Sequence, residues 1–392
     1  MSTFPSDHRT DLDVIVVGAR AAGAATAMLL ARAGLRVVAL ERTARGTDTL
    51  STHALMRGGV LQLSRWGVLD RIIAAGTPPV RSTVYDYGGS RRVIAIKPAH
   101  GVDALYAPRR TVLDPVLADA AREAGAEVRY GARVTGLLRE RGRVVGVRTT
   151  GADGPHDLRA RLVVGADGIR SLVARETGAL VTHQARSFTA ATYGYWSGLP
   201  TEGYEWVFRR GGSTGAIPTG DGLVCVFASI PPSGAGRGGI DVLRSVVAEA
   251  APDLFERLDA AELRGPTRTW AGTPGYLRKA HGPGWALVGD AGYFKDPAVA
   301  HGLTDALRDA ELLARAVIAG IGDETDLVES LADYERTRDR LSLPLLETAD
   351  RVASLDWDDA ELDDLMRRIS SVTAAEVELL AGLDQPVLEG AR

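Results

Sequence analysis

Two kinds of hydrophobic pattern divide the chain. In the first, short unbroken apolar runs alternate with segments of helical period. Leu12–Gly18 is a Val/Ile run closed by a glycine, which predicts a parallel strand buried on both faces. Ala21–Ala33 is alanine-rich and free of proline and predicts a helix that Gly34 ends; Leu35–Leu40 is the next strand. After a loop over Thr47–Arg57, the residues Leu55, Val60, Leu61, Leu63 and Trp66 form an apolar helical face, and Thr111–Glu123 predicts a second amphipathic helix. Glu127–Tyr130, Arg133–Glu140 and Arg143–Thr150 read as a meander turning at Arg141-Gly142, and Leu158–Val164 as a strand running into Gly165-Ala166-Asp167-Gly168.

In the second pattern, apolar and polar residues alternate with period two. Val80–Ile96 does so around Tyr87-Gly88-Gly89-Ser90, a hairpin signal. Ser187–Ile230 does so with Tyr193, Tyr195, Trp196, Tyr204, Trp206 and Phe208 clustered between glycine turns, which predicts an antiparallel sheet. Beyond it, Asp241–Leu258 reads as a helix, Thr267–Thr273 as a strand and Trp285–Val288 as a short buried strand. Leu303–Ala319 and Asp326–Leu346 read as long helices, Asp356–Asp364 and Ala374–Leu383 as shorter ones. The order divides the chain into one lobe built from 1–79, 101–184 and 275–345, a second from 80–100 and 185–274, and terminal helices over 346–392.

Composition narrows the picture. With 392 residues, 45% hydrophobic and 24% charged, the chain has the balance of a soluble globular protein with a sizeable core. A formal net charge of −4 gives no bulk attraction to nucleic acid or acidic lipid. Cys225 is the single cysteine, so an intrachain disulfide, a cysteine-zinc cluster and a CxxC pair are excluded, and no metal centre is expected. Met1–Thr10 is polar and carries no signal-peptide pattern, and Arg20 and Arg32 interrupt the apolar run that follows. A cytoplasmic protein without stable membrane association, monomer or homodimer, is the expectation.

The first chemical signal lies in Val14–Arg42. Gly18 permits a tight turn, Gly23 permits close packing of helix on strand, and Glu41 ends the second strand where an acid accepts hydrogen bonds from a ribose diol. An acid there repels a 2′-phosphate, which favours NAD or FAD over NADP. The middle glycine of G-x-G-x-x-G is replaced by Arg20, whose N–H and guanidinium can both meet a phosphate. The second signal is WALVGDAGYFKDPAVAHGLTDALRDAELLA, from Trp285 to Ala314: a strand ending in Gly289-Asp290, then a proline-bearing loop feeding a helix near Gly302. An aspartate at a strand end can bond a sugar-alcohol chain, and a helix N-terminus stabilises negative charge forming on a ring.

These residues resemble the FAD-binding motif of single-component flavin hydroxylases of the p-hydroxybenzoate hydroxylase type, and of their relatives the geranylgeranyl reductases and flavin halogenases. Leu162–Gly168 is similar to that family's second fingerprint, Arg57-Gly58-Gly59-Val60-Leu61 to its Arg-Ala-Gly-Val-Leu stretch, and Arg110 with Leu113 and Leu117 to its arginine before a helix along the cofactor. The resemblance implies an α/β fold: a Rossmann-like FAD-binding lobe of the glutathione-reductase type, an inserted mainly antiparallel substrate lobe, and C-terminal helices. It assigns FAD contacts to Gly18, Arg20, Ala22, Gly23, Glu41, Arg42, Arg57, Arg110, Val134, Asp167, Gly168, Gly289, Asp290, Pro297, Gly302, Leu303 and Thr304. Asp290 would bond the ribityl chain, Pro297 would lie against the flavin, and Gly302, Leu303 and Thr304 would offer N–H groups to its pyrimidine side. Val299, Thr304 and Tyr293 depart from the hydroxylase pattern, and Ala300 from the halogenase serine.

Tyr204-Glu205-Trp206-Val207-Phe208 resembles the Tyr-x-Trp-x-Phe-Pro element of geranylgeranyl reductases, with Arg209 in place of proline. The Trp-x-Trp-x-Ile-Pro element and the active-site lysine of halogenases are missing. Alternation puts Tyr204, Trp206 and Phe208 on one face, and Tyr193 and Tyr195 on a face of the preceding strand. These, with Ile217, either roof an apolar substrate pocket or are core. His53 and His301 either reach substrate or flavin as acid or base, or pack in their loops; with Pro297 they are the catalytic candidates. Cys225 reads as inert packing. The leading expectation is an FAD-dependent monooxygenase hydroxylating an aromatic or polycyclic small molecule through a flavin C4a-hydroperoxide, with NAD(P)H as reductant. The alternatives are a C=C reductase or dehydrogenase of geranylgeranyl-reductase type, and a flavin-binding protein with little turnover.

Overall fold

A computed structural model describes residues 12–151, 154–237 and 239–384; the polar N-terminal stretch read above lies outside them. The first lobe is built on an eight-stranded sheet. Its central strand, Leu12–Val17, pairs in parallel with Val37–Glu41 on one side and Gly154–Gly165 on the other. Glu127–Tyr130 extends the sheet beyond the second strand, and Trp285–Leu287 lies beyond the third. Successive side chains of the central strand enter different cores: Val14 and Val16 face the helical layer, Ile15 and Val17 the opposite layer. This is why the strand reads as an unbroken apolar run rather than an alternating one.

Register brings three distant segments to one edge. Val17 stands opposite Leu40 and Gly165, and Gly165 opposite Leu287. The strands therefore end together at Gly18, Glu41, Ala166 and Gly289, at the carboxyl edge where open α/β sheets place their ligands. The helices Ala21–Arg32 and Gly302–Gly320 start from this edge and pack in one core.

The second lobe is another eight-stranded, mostly antiparallel sheet. The hairpin Ser82–Tyr87 and Ser90–Ala95 joins it through a parallel pairing with Tyr204–Arg209. Tyr204, Trp206 and Phe208 face one core, shared with Tyr193, Tyr195, Ile217 and Cys225, while Val207 and Trp196 face another under the helices Ile240–Ala250 and Pro252–Asp259.

Three helical expectations change. Asp241–Leu258 is two helices that meet at Pro252, since proline has no N–H to continue the ladder. Asp326–Leu346 is longer, Glu324–Ala353, and runs through Pro344. Asp356–Asp364 and Ala374–Leu383 are one helix, Asp359–Ala381. Its early residues Leu362 and Leu365 enter the aromatic core, and Val377 and Leu380 enter the core of the first lobe. That double burial outweighs the weak helix propensity of Ser370, Ser371 and Thr373.

Candidate cofactor and substrate site

The fingerprint turn shows which glycines it needs. Gly18 has φ +98°, and a Cβ there would stand 2.5 Å from the Ala166 carbonyl oxygen. A Cβ on Gly23 would fall 1.9 Å from the Gly18 oxygen. Arg20 differs: it caps the helix with φ −88° and ψ −167°, a backbone any residue adopts. The middle position needs no glycine here, so arginine fits, and its Nη1 is buried without a hydrogen-bond partner. Glu41 accepts from Ala19 N–H through Oε2 (3.1 Å) and from Thr43 N–H and Oγ1 through Oε1 (2.9 and 2.7 Å). Each carboxylate oxygen keeps further acceptor capacity. Ala19, Arg20, Glu41, Thr43, Asp114 and Tyr130 help line a small pocket open to solvent. Arg42 is exposed just beyond it, and Val134 is half-buried on a strand whose preceding residue, Ala132, donates its N–H to the Glu41 carbonyl.

The other two motifs close on the same edge. Asp167 accepts from Ser171 Oγ at 2.5 Å and Leu172 N–H at 2.6 Å, at the start of the short helix Leu172–Thr177 that Ser171 caps, and Gly168 takes φ +75°. Gly289 has φ +57°, and a Cβ there would meet the Ala22 Cβ at 3.0 Å. Asp290 is half-buried, and its carboxylate makes no hydrogen bond among the described residues. Burial pushes that carboxyl up to about 6, with Lys295 and Arg110 drawing it down. Pro297 is exposed and starts a tight turn capped by Asp296, which also accepts from Thr189 N–H and Oγ1 in the second lobe. Ala300 then adopts φ +49°, a left-handed strain unusual for alanine. Helix geometry leaves the N–H groups of Gly302, Leu303 and Thr304 without intrahelical acceptors, and Gly302 is exposed with open space about it.

Arg57 lies apart from these donors. Its guanidinium donates to the carbonyls of Lys97, Ala99 and Val102. Gly58 and Gly59 are packing residues, since Cβ atoms there would stand 3.3 and 3.1 Å from Thr304 Cγ2 and Oγ1. Thr304 in turn accepts the Met56 N–H at 3.0 Å. Arg110 forms a two-pronged ion pair with Asp114, at 2.9 Å in each arm.

His301 is buried with Nε2 3.0 Å from Glu376 Oε1 of the terminal helix. Arg308, fully buried, bonds Glu376, Asp305 and Asp309, and Lys295 pairs with Asp305. His301, Asp305 and Glu376 come within 4.8 Å of one another, the spacing of metal ligands. Arg308 and Lys295 already supply the positive charge there, so the cluster is an ion-pair network that ties the terminal helix to the loop. Burial and the two cations hold His301 below its ordinary range against the pull of Glu376.

His53 is 1% exposed and adopts φ +70°. Its Nε2 lies 2.5 Å from Tyr195 Oη, and its Nδ1 is buried without a partner. Burial, with Arg109, Arg110 and Arg268 nearby, drives its pKa well below the usual value, so the ring is neutral at pH 7. Burial likewise raises Tyr195, which stays protonated. Tyr193 Oη accepts the Ser51 N–H at 3.1 Å. Tyr193, Tyr195, Trp206, Phe208 and Ile217 are gathered in one buried apolar cluster, reached by Ala54 from the His53 loop, by Ala298 and Ala300 from the proline loop, and by Leu355, Trp357, Leu362 and Leu365. Cys225 is buried in the same cluster with its thiol pKa raised. Sequence reasoning missed Asp48, Arg109, Arg268 and Glu376, because nothing local marks an ion pair made between segments this far apart.

The fit to FAD rests on these features: a glycine cradle no side chain enters, a guanidinium beside it whose buried Nη1 makes no hydrogen bond, and an N-terminal row of N–H groups without intrahelical acceptors. Two lobes meeting across such an edge define an FAD-dependent oxidoreductase. The chain belongs to the FAD binding domain family, whose profile matches residues 11–349. It is 29% identical over 355 residues to digeranylgeranylglycerophospholipid reductase 2 of Methanopyrus kandleri, covering 83% of this chain and 81% of that protein. Reductase 1 of the same organism is 28% identical over 385 residues, covering 93% and 96%. Among solved structures, the flavin-dependent brominase Bmp2 superposes with a TM-score of 0.78 at 17% identity, covering 96% of each chain. Pseudomonas aeruginosa PqsL in complex with 2-aminobenzoylacetate gives 0.77 at 23%, covering 93% and 99%. These superpositions speak for the fold alone.

Proposed function

We propose that this chain is an FAD-dependent reductase of carbon–carbon double bonds in an apolar, isoprenoid-like small molecule. The supporting observation is the Tyr204-x-Trp206-x-Phe208 face, buried against the loop that carries Pro297 and beside the only pair of buried, hydrogen-bonded proton carriers among the described aromatic-core residues, His53 and Tyr195. The names of the curated relatives weigh the same way, and against the aromatic hydroxylation that the sequence alone favoured. Bound FAD in its reduced form supplies a hydride equivalent. The rest falls to the protein. Tyr193, Tyr195, Trp206, Phe208 and Ile217 form the apolar wall that excludes water from the alkene. Tyr195, held by His53 Nε2, delivers the proton to the second carbon and takes one back from solvent once the product has left, so hydride and proton together add two hydrogens. Gly302, Leu303 and Thr304 direct N–H groups at the negative end of the ring, Asp290 holds the ribityl chain, and Arg20 the pyrophosphate. NAD(P)H is the proposed electron source.

The test incubates the FAD-loaded protein with polyprenyl substrates under anaerobic conditions with dithionite or NAD(P)H, and reads product mass. Gain of two hydrogens per double bond supports the reading. Product formed only in air and carrying one oxygen atom from O₂ replaces it with hydroxylation. Bound flavin with no product from any donor leaves a binding protein.

A further inference from the structure

Among the described residues, Asp48 is the only acidic side chain that pairs with both Arg109 and Arg268, and its Oδ2 serves both, at 3.3 and 3.0 Å. Its other oxygen accepts the Thr49 N–H. One positive charge is therefore left over. It sits on the substrate side: the Arg109 guanidinium lies 4.0 Å above the Tyr195 ring, and Arg268 stands opposite Tyr193 in the sheet register. Two buried polar atoms here lack partners, Arg109 Nε and His53 Nδ1. The neighbouring Arg110 points elsewhere, closed on Asp114 towards Arg20 and the fingerprint turn. The start of this helix thus sends one arginine to each side, Arg110 to the cofactor edge and Arg109 to the aromatic sheet.

We infer that Arg109 and Arg268 form a subsite for an oxyanion, a carboxylate or phosphate, carried at one end of the apolar substrate. Asp48 holds the two guanidinium groups in place and competes with that anion. Arg268 is the more exposed of the two and receives the anionic end from solvent, while the apolar part lies along Tyr193 and Tyr195. The inference takes from the reading above only that the aromatic sheet walls the substrate site, not the reaction performed there.

The experiment titrates the FAD-loaded protein with decanoate, decyl phosphate and decanol up to about 1 mM, following the flavin absorption spectrum and the heat of binding. The two anions are expected to bind at least about tenfold more tightly than decanol. Arg268→Gln abolishes that preference, leaving decanol and FAD affinities unchanged. Asp48→Asn tightens anion binding, the opposite of what loss of a purely structural carboxylate produces. The stronger of the two anions identifies the end group. Equal affinity for decanol and the anions overturns the inference, as does no saturable binding of either anion, or an Arg268→Gln variant that loses FAD instead. Anion binding without alkene reduction leaves this subsite standing and removes only the proposed reaction.

Discussion

Replacing Arg20 by glycine would restore the usual fingerprint, yet the geometry says that it weakens FAD binding. The backbone at position 20 is extended, at φ −88° and ψ −167°, so glycine relieves no strain. The nearest acid, Asp114, stands 3.8 Å from Arg20 Nη1 and is already held by both arms of Arg110 at 2.9 Å. The Arg20 guanidinium is therefore free to serve a phosphate. A charge-assisted hydrogen bond contributes about 1.5–3 kcal/mol. The side chain is 27% exposed, so screening reduces this to about 1–2 kcal/mol. Arg20→Gly should then weaken FAD by about 5- to 30-fold. Arg20→Lys should retain part of the difference, as a point charge without the planar fork. The assay is titration of apo-protein with FAD by fluorescence, in low salt and at about 0.5 M salt, where the gap between wild type and Arg20→Gly should narrow. If Arg20→Gly binds FAD as tightly as the wild type, or more tightly, the pyrophosphate needs open backbone at this turn and the arginine is only tolerated.

Three further predictions follow from the same edge of the sheet. Gly23→Ala places a Cβ 1.9 Å from the Gly18 oxygen and should cost about 3 kcal/mol or more and abolish FAD binding, read by chemical denaturation and by flavin retention on a desalting column. Glu376→Ala leaves Arg308 with one carboxylate fewer in a fully buried site and should cost about 3–5 kcal/mol; limited proteolysis should show the helix Asp359–Ala381 released first. Asp290 has its folded pKa raised from 3.8 to about 6, so the folded chain holds a proton that the unfolded chain has lost. Apo-protein stability should therefore fall as pH rises through that window, by at most about 3 kcal/mol, and level off above it. Asp290→Asn should remove the slope in urea unfolding measured below and above the window, and weaken FAD.

What was legible in the sequence was whatever a short stretch must satisfy by itself. Gly18, Gly23 and Glu41 are fixed by a turn, a close approach and a strand end, all within one unit, and Gly289-Asp290 by another. Pro252 was legible too, and a helix read across it ignored the missing N–H. The terminal helix was not, because its middle residues are poor helix formers and only burial of its two ends in different cores carries it. Arg57-Gly58-Gly59 illustrates a subtler limit. Close approach of a cofactor and close approach of a helix ask for the same small residues, and the structure brings up Thr304, itself at the start of the helix whose N–H groups face the edge. The glycine pair therefore lets that helix start, and with it those N–H groups, stand close to this segment. His53 and Tyr195 were each visible in the sequence, but the hydrogen bond that joins them across the two lobes was not. The residues proposed to bind the cofactor were visible as motifs, while the ion pairs and packing contacts that set their positions were visible only in the structure. A substitution at Gly59 should accordingly disturb the flavin spectrum through Thr304 while leaving the pyrophosphate end, held by Gly18, Arg20 and Gly23, unchanged.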